Sequence, residues 1–337
     1  MILDSQISKP IIFSGIQPSG ILHLGNYLGA IKNWIFLQNS NNYNCFFSIA
    51  DLHSLTTLEN TSIKENSYIV LALLISAGLS EEKSNIFLQS SVQAHSELNW
   101  ILSCFTQIGW LNRMTQYKDK SQKDKDKSNS GLYFYPILQA SDILLYNTDI
   151  VPVGQDQVQH IELTRDIASK FNSIYGNIFK LPSPQVISDS KIMSLKDSNK
   201  KMSKSDLSND SKILLTDSND LIFNKIKKAK TGSFLPKNLE ELKENNDLMN
   251  LVNIYTLISN CNKQEVYDIF LTNNFSTIKT ILADIIITEI EPIRKKYTEL
   301  IHIENRQKLE NILKYKINDI KTLSNNKLNQ VKQVIGF

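Results

Sequence analysis

The sequence predicts an α/β fold, a parallel sheet with right-handed crossovers, followed by an all-helical C-terminal unit. Three observations point to it. Short apolar runs alternate with helix-spaced segments in the first half of the chain. Each run stops at a turn or a polar residue, as strands buried on both faces do. After Asp206 the apolar periodicity is helical only. Strand, helix, strand in this rhythm is the signature of parallel pairing through crossovers.

The elements follow in order. Ile11 to Ile16 is apolar and β-branched and runs into the turn Gln17-Pro18-Ser19-Gly20. Ile21 to Leu37 carries Leu24, Leu28, Ile31 and Ile35 at helical spacing. Cys45 to Ala50 is a second buried strand ending at Asp51. Ser67 to Ala77 is helical and stops at Gly78, a C-cap. Ile86 to Gln89 is a third strand. Lys118 to Ser130 has no apolar residue and reads as a solvated, mobile loop. Tyr133 to Tyr146 resumes a compact apolar pattern, Val151 to Gly154 is a strand end, and Gln157 to Phe171 is a helix. Pro182 and Pro184 mark a break. Ile278 to Ile301 is the longest helical run, with Pro292 inside it as a kink or boundary.

Composition excludes several classes. Of 337 residues, 41% are hydrophobic and 21% charged, a globular mixture rather than a fibre or a disordered tail. No apolar run reaches membrane-spanning length, and the N-terminus lacks a secretory pattern, so the cytoplasm is the expected location. The net charge of +3 permits a polyanionic partner without demanding one. Three scattered cysteines, Cys45, Cys104 and Cys261, read as buried free thiols. The five histidines include no His-x-x-x-His pair, so no metal site built from protein side chains is expected.

Two short motifs carry chemistry. Pro18-Ser-Gly-Ile-Leu-His23-Leu24-Gly25-Asn26 sits where the first strand passes into a helix. Glycine lets a ring or phosphate approach the backbone, a helix N-terminus favours an anion, and His23 and Asn26 add donors. Lys201-Met202-Ser203-Lys204-Ser205 sets two lysines three apart among hydroxyls, suited to clamping a polyphosphate. Each alone is also compatible with a plain turn or a solvated loop.

Together, in this order, the motifs resemble the nucleotide-binding signatures of class I aminoacyl-tRNA synthetases. Ile12-Phe-Ser-Gly-Ile-Gln-Pro-Ser-Gly, Arg113-Met-Thr-Gln-Tyr-Lys, the segment Asp142 to Gly154, and Asp156-Gln157 to Arg165-Asp166 narrow the resemblance to the bacterial-type tryptophanyl-tRNA synthetases. The resemblance runs from about Lys9 to the end and is loosest in the C-terminal helices. It implies a Rossmann-like catalytic domain over residues 1–206 and a helical anticodon-binding domain over 207–337. It also implies ATP-dependent charging of L-tryptophan onto tRNA(Trp), Mg²⁺ delivered with ATP, and a homodimer.

The resemblance assigns roles. Lys201, Lys204 and Lys120, with His23 and Asn26, would stabilise the transferring phosphates. The substrate carboxylate is the nucleophile, so positioning and charge are what the protein supplies. Gln17, Pro18, Ser19, Gly25 and Asn26 would form the floor under ATP, with Ser203 and Ser205 among its contacts. Gly154, Gln155 and Asp156 resemble the ribose-binding segment. Ile192 and Met202 look like adenine neighbours, or simply core. For tryptophan, whose ring has an N–H donor and no acceptor, a selective pocket needs one buried acceptor among apolar walls. Asp142 matches that acceptor; its alternative is a helix N-cap. Tyr135, Gln157 and Gln116 resemble the groups holding the ammonium and carboxylate, and Phe13, Gly15 and His53 resemble pocket walls.

Gln139 stands where methionine is frequent, Gln155 where glutamate is, and Thr231-Gly232-Ser233 lacks a common aspartate. Lys225, Lys227, Lys228 and Lys230 either meet tRNA phosphates or form a solvated helix face. Three rivals stay open. A tyrosyl-tRNA synthetase would need a pocket for a phenolic O–H. A small-molecule nucleotidyltransferase would lack the Lys201–Ser205 motif and the long helical C-terminus. A non-catalytic tRNA-binding paralogue would have lost ATP or tryptophan residues.

Overall fold

A computed structural model describes residues 9–57, 62–114, 129–187, 191–204 and 206–337. Five parallel strands form one sheet: β1 (Ile11–Ile16), β2 (Asn44–Ile49), β3 (Asn85–Leu88), β4 (Ile150–Val153) and β5 (Ser183–Val186). Their order is β3-β2-β1-β4-β5. The chain therefore builds outward through β2 and β3, then returns to the other side of β1 for β4. That reversal opens a crevice beyond the carboxyl ends of β1 and β4, where ligands bind in such sheets.

The alternation along the strands explains their apolar composition. Ile12 of β1 faces one core and Phe13 the other. Cys45, Phe47 and Ile49 of β2 share the first core, while Phe46 joins the second. Both faces are covered, so most positions on either face are apolar, with Ser48 of β2 a buried exception.

After β1 come α1 (Leu24–Asn26), a π turn at Tyr27–Ile31 and α2 (Lys32–Ser40). α3 (Asp51–Ser54) and α4 (Ile63–Ala77) follow β2, and α5 (Ala94–Phe105), α6 (Ile108–Asn112) and α7 (Ser130–Leu144) follow β3. α8 (Val158–Tyr175) follows β4. Beyond β5 stand α9 (Asn219–Lys227), α10 (Leu239–Glu244), α11 (Asn246–Ser259), α12 (Lys263–Thr272), α13 (Phe275–Leu300), α14 (Arg306–Lys314) and α15 (Ile317–Ile335). The first core runs without a break from β1, β2 and α4 into α9, α11 and α13. α15 returns to the opposite face, where Ile320, Leu328 and Val331 join Phe13 and Phe87.

Four expectations need correction. β5 lies where Pro182 and Pro184 predicted a break. It is an exposed edge strand paired only with β4, and an edge position tolerates a residue without an N–H. The first helix starts at Leu24 rather than Ile21. Leu22 instead accepts a backbone hydrogen bond from Leu215, and Leu24 donates one to Ile213, which keeps this stretch extended. Of the two readings of Pro292 the boundary is overturned, since Pro292 sits inside α13, which continues to Leu300. Only Cys45 is buried; Cys104 and Cys261 are exposed, at the end of α5 and just after α11. Gly78 ends α4 with φ +119°, the left-handed cap that its position predicted.

Candidate active site

Two connected cavities lie at the crevice. The larger, about 1310 Å³, is lined by Gln17, Pro18, Ser19, His23, Gly25 and Asn26 from the β1 end. Gly154, Gln155, Asp156 and Gln157 line it from the β4 end, and Ile192, Lys201, Met202, Ser203 and Lys204 from the later motif. The smaller, about 750 Å³, is lined by Phe13, Gly15, His53, Tyr135, Gln139 and Asp142, among others. Gln17, Gly154, Asp156, Gln157 and Lys201 belong to both linings, so the cavities are continuous. Gly29 and Ala30 also face both. They lie in the π turn, a local distortion that re-aims backbone at functional sites and that periodicity cannot reveal.

The first motif is rigid. His23 caps α1: its Nδ1 accepts from the Asn26 N–H at 3.2 Å, and Asn26 Oδ1 accepts from the His23 N–H at 3.1 Å. Because Nδ1 accepts, the imidazole proton sits on Nε2. Burial, and then Lys204, Lys201 and Lys212, push its pKa down to about 3. His23 is thus a neutral donor in a cationic neighbourhood. A Cβ at Gly25 would stand 3.0 Å from His23 Nδ1, so a side chain there would displace the cap.

The second motif is held against the first. Met202 N–H donates to Ile192 O at 3.0 Å, and Asn250 of α11 brackets Met193 through both its N–H and its C=O. Ile192 and Met202 are both core and cavity wall. Lys204 Nζ donates to Ser19 Oγ at 3.0 Å and to Gly20 O at 2.9 Å. Lys212, nearly buried, donates to the carbonyls of Lys204 and Asp206 at 2.9 and 2.5 Å. Lys201 Nζ lies 3.7 Å from Asp156, both half exposed. Lys212 and Asn250 are neighbours that sequence reasoning missed; they hold the backbone in and beside the motif from outside it and share no local pattern with it.

In the smaller cavity Asp142 is not a helix N-cap. It lies in the last turn of α7 and is buried. Its two oxygens accept from Gln89 Nε2 at 2.9 and 2.8 Å, and Oδ1 also contacts His95 Nδ1 at 2.6 Å. His53 Nδ1 contacts Gln89, while its Nε2 is buried with no partner among the described residues. Tyr135 contacts His160 Nε2 through its hydroxyl at 2.7 Å, and burial pushes the phenol up to about 12. Gln89, His95 and His160 were not legible, since each meets its partner only through the fold.

Gln116, Lys120 and Ser205, and the charged segment up to Ser128, lie outside the described residues. Of the lysine cluster only Lys225 is withdrawn from the surface; Lys227, Lys228 and Lys230 are exposed. Lys225 is buried against Asp217 at 2.6 Å, Lys228 pairs with Asp210, and Lys230 with Asp247. The aspartate missing near Thr231 has a geometric reason. Gly232 has φ +86°, and a Cβ there would stand 2.7 Å from Asn245 Nδ2. Among the described residues no group of three or more His, Cys, Asp and Glu side chains could hold a metal ion. No described helix is long and apolar enough to cross a membrane.

Comparison with known proteins follows the same lines. The family model "tRNA synthetases class I (W and Y)" matches residues 6–283, well over half of the chain. A tryptophan–tRNA ligase of Rickettsia conorii is 46% identical over 334 residues, covering 98% of this chain and 99% of its own. The tryptophanyl-tRNA synthetase structure of Mycoplasma pneumoniae superposes with TM-score 0.84 at 32% identity, covering 98% of each chain. That of Campylobacter jejuni, complexed with ADP and tryptophan, gives 0.79 at 33% identity, covering 97% of this chain and all of its own. The parallel sheet, the two clamped motifs and these full-length matches make the chain a member of the class I tryptophanyl- and tyrosyl-tRNA synthetase family.

Proposed function

We propose that the larger cavity holds ATP, the smaller holds L-tryptophan, and the shared lining is where they react. The activity is tryptophan–tRNA ligation. The tryptophan carboxylate attacks the α-phosphorus of ATP, the bond to the β-phosphate oxygen breaks, and pyrophosphate leaves. A terminal hydroxyl of tRNA(Trp) then attacks the carbonyl of the adenylate and releases AMP. What carries this reading is a buried carboxylate, Asp142, in a cavity continuous with one lined by Lys201 and Lys204.

The residues divide the work. Gln17, Pro18, Ser19, Gly25 and Asn26 carry the nucleotide, and Gly154, Gln155 and Asp156 take the ribose. Ile192 and Met202 pack the adenine. Lys201 and Lys204, with Lys120, neutralise the leaving pyrophosphate, and Mg²⁺ enters as the counter-ion of ATP. His23 and Asn26 donate to the reacting phosphate. Neutral His23 does so without changing charge near pH 7. Asp142 accepts the indole N–H; Phe13, Gly15 and His53 wall the ring; Tyr135, Gln157 and Gln116 hold the ammonium and carboxylate. A ligand lacking the N–H would leave Asp142 short of a donor, which is how phenylalanine is rejected without editing.

Residues 1–206 form the catalytic domain and 207–337 the anticodon-binding domain, joined through a shared core. The chain works as a homodimer in the cytoplasm. Exposed Trp100, Ile108 and Phe134 on neighbouring α5, α6 and α7 support a self-association face. The test is amino-acid-dependent exchange of labelled pyrophosphate into ATP, with tryptophan, tyrosine and phenylalanine in parallel. Exchange with tryptophan alone, abolished in Asp142→Ala, is expected. Exchange with tyrosine would make the pocket assignment wrong.

A further inference from the structure

Behind the wall of the smaller cavity lies a chain of buried polar groups that does not touch it. Asp142 lines the cavity; Gln89, His95 and Tyr146 do not. All three are fully buried. Tyr146 is boxed by Phe13, Phe46 and Phe87, with ring centroids 5.6, 4.8 and 5.8 Å away. Its hydroxyl contacts His95 Nε2 at 2.9 Å, and His95 Nδ1 contacts Asp142 Oδ1 at 2.6 Å. Both Asp142 oxygens accept from Gln89, and the carboxylate accepts from His95 as well, so the His95 proton sits on Nδ1. In that tautomer Nε2 accepts from the Tyr146 hydroxyl. Ser141 Oγ donates to His95 O at 3.0 Å and fixes the ring's backbone.

The directions are therefore determined from the tyrosine to the carboxylate. Oδ1 is occupied by His95 and Gln89. Oδ2 takes one bond from Gln89 at 2.8 Å, and His53 Nδ1 is 3.7 Å away, beyond hydrogen-bond distance. One oxygen is thus engaged from behind, and the other keeps acceptor capacity for a donor arriving from the cavity.

We propose that Tyr146 and His95, with Gln89, are positioning residues for indole recognition: they orient Asp142 so that Oδ2 receives the ring N–H of tryptophan. This rests on the reading of the smaller cavity as the tryptophan site. Held this way, the carboxylate meets the N–H without rotating when substrate binds, and discrimination depends on groups that never contact the substrate.

The test compares tryptophan with its benzothiophene isostere, in which sulfur replaces the ring N–H, as substrates in pyrophosphate exchange. Wild-type, Tyr146→Phe, His95→Gln and Asp142→Ala are measured side by side. Tyr146→Phe and His95→Gln should each lower the preference for tryptophan over the isostere about tenfold, through KM for tryptophan with kcat unchanged. Rates with the isostere should hold. Tyr146→Phe removes one oxygen and keeps the ring packing, so it remains informative where His95→Gln fails to fold. An equal loss on both substrates, or an unchanged preference, would overturn the positioning role. Loss of preference in Asp142→Ala alone would overturn the relay and leave the site reading intact. A preference unchanged in Asp142→Ala would overturn the site reading itself, and the relay with it.

Discussion

His23 is held neutral by its surroundings, and replacing it with asparagine isolates that effect. Asparagine is a good N-cap and can accept from the Asn26 N–H as Nδ1 does, so His23→Asn keeps the start of α1. It removes the titration. The folded pKa of His23 is about 3 against 6.5 in the unfolded chain, and burial is the largest cause. Between those values the unfolded chain binds more protons, so stability falls as the pH is lowered through that window and is fully present above pH 6.5. At about 1.36 kcal/mol per pH unit, the wild type should lose roughly 2–3 kcal/mol between pH 7 and pH 4.5 from this group alone. His23→Asn should not. Urea unfolding of both proteins at pH 7.0, 5.5 and 4.5 measures the difference, with the stability gap shifting toward the variant by about 1.4 kcal/mol at pH 5.5. Exchange activity should fall by about 10²-fold in the variant, by the same factor at pH 6 and pH 8, because a neutral donor is lost. Parallel stability curves across this range would refute the neutral, desolvated His23.

Lys204→Met removes a charge from the phosphate region and its bonds to Ser19 and Gly20; exchange should slow about 10²–10³-fold with little change in melting temperature. Lys225→Met leaves Asp217 buried and unpaired, so thermal or urea unfolding should show a loss of about 3–5 kcal/mol, part of it recovered in Lys225→Met with Asp217→Leu. Gly232→Ala forces a side chain at φ +86° into Asn245, which caps α11 and donates to Thr231 O; destabilisation of about 1–3 kcal/mol is expected by the same measurement.

The legible parts of the fold are those with buried, regular patterns. β1 to β4 lie between two covered faces, so their side chains are mostly apolar on both, and a short apolar run closed by a turn identifies them. β5 is an exposed edge carrying Pro184, and neither feature marks a strand. Candidate site residues were legible where they cluster in one segment, as around His23 and Lys204, and both segments do line one cavity. Gln89, His95 and Lys212 act on partners distant in sequence or through the backbone, and so leave no local signature. The burial of Lys225 was not legible, because a row of like charges says nothing about the aspartate that the fold brings to one of them.

Charging of tRNA tests the activity most directly. Purified protein, ATP, Mg²⁺ and tRNA(Trp) are incubated with labelled tryptophan or labelled tyrosine, and acid-precipitable label is followed. Tryptophan should accumulate at the tRNA terminus and tyrosine should not. Accumulation of tyrosine, or no acylation by a protein that forms the adenylate, would contradict a tryptophan–tRNA ligase.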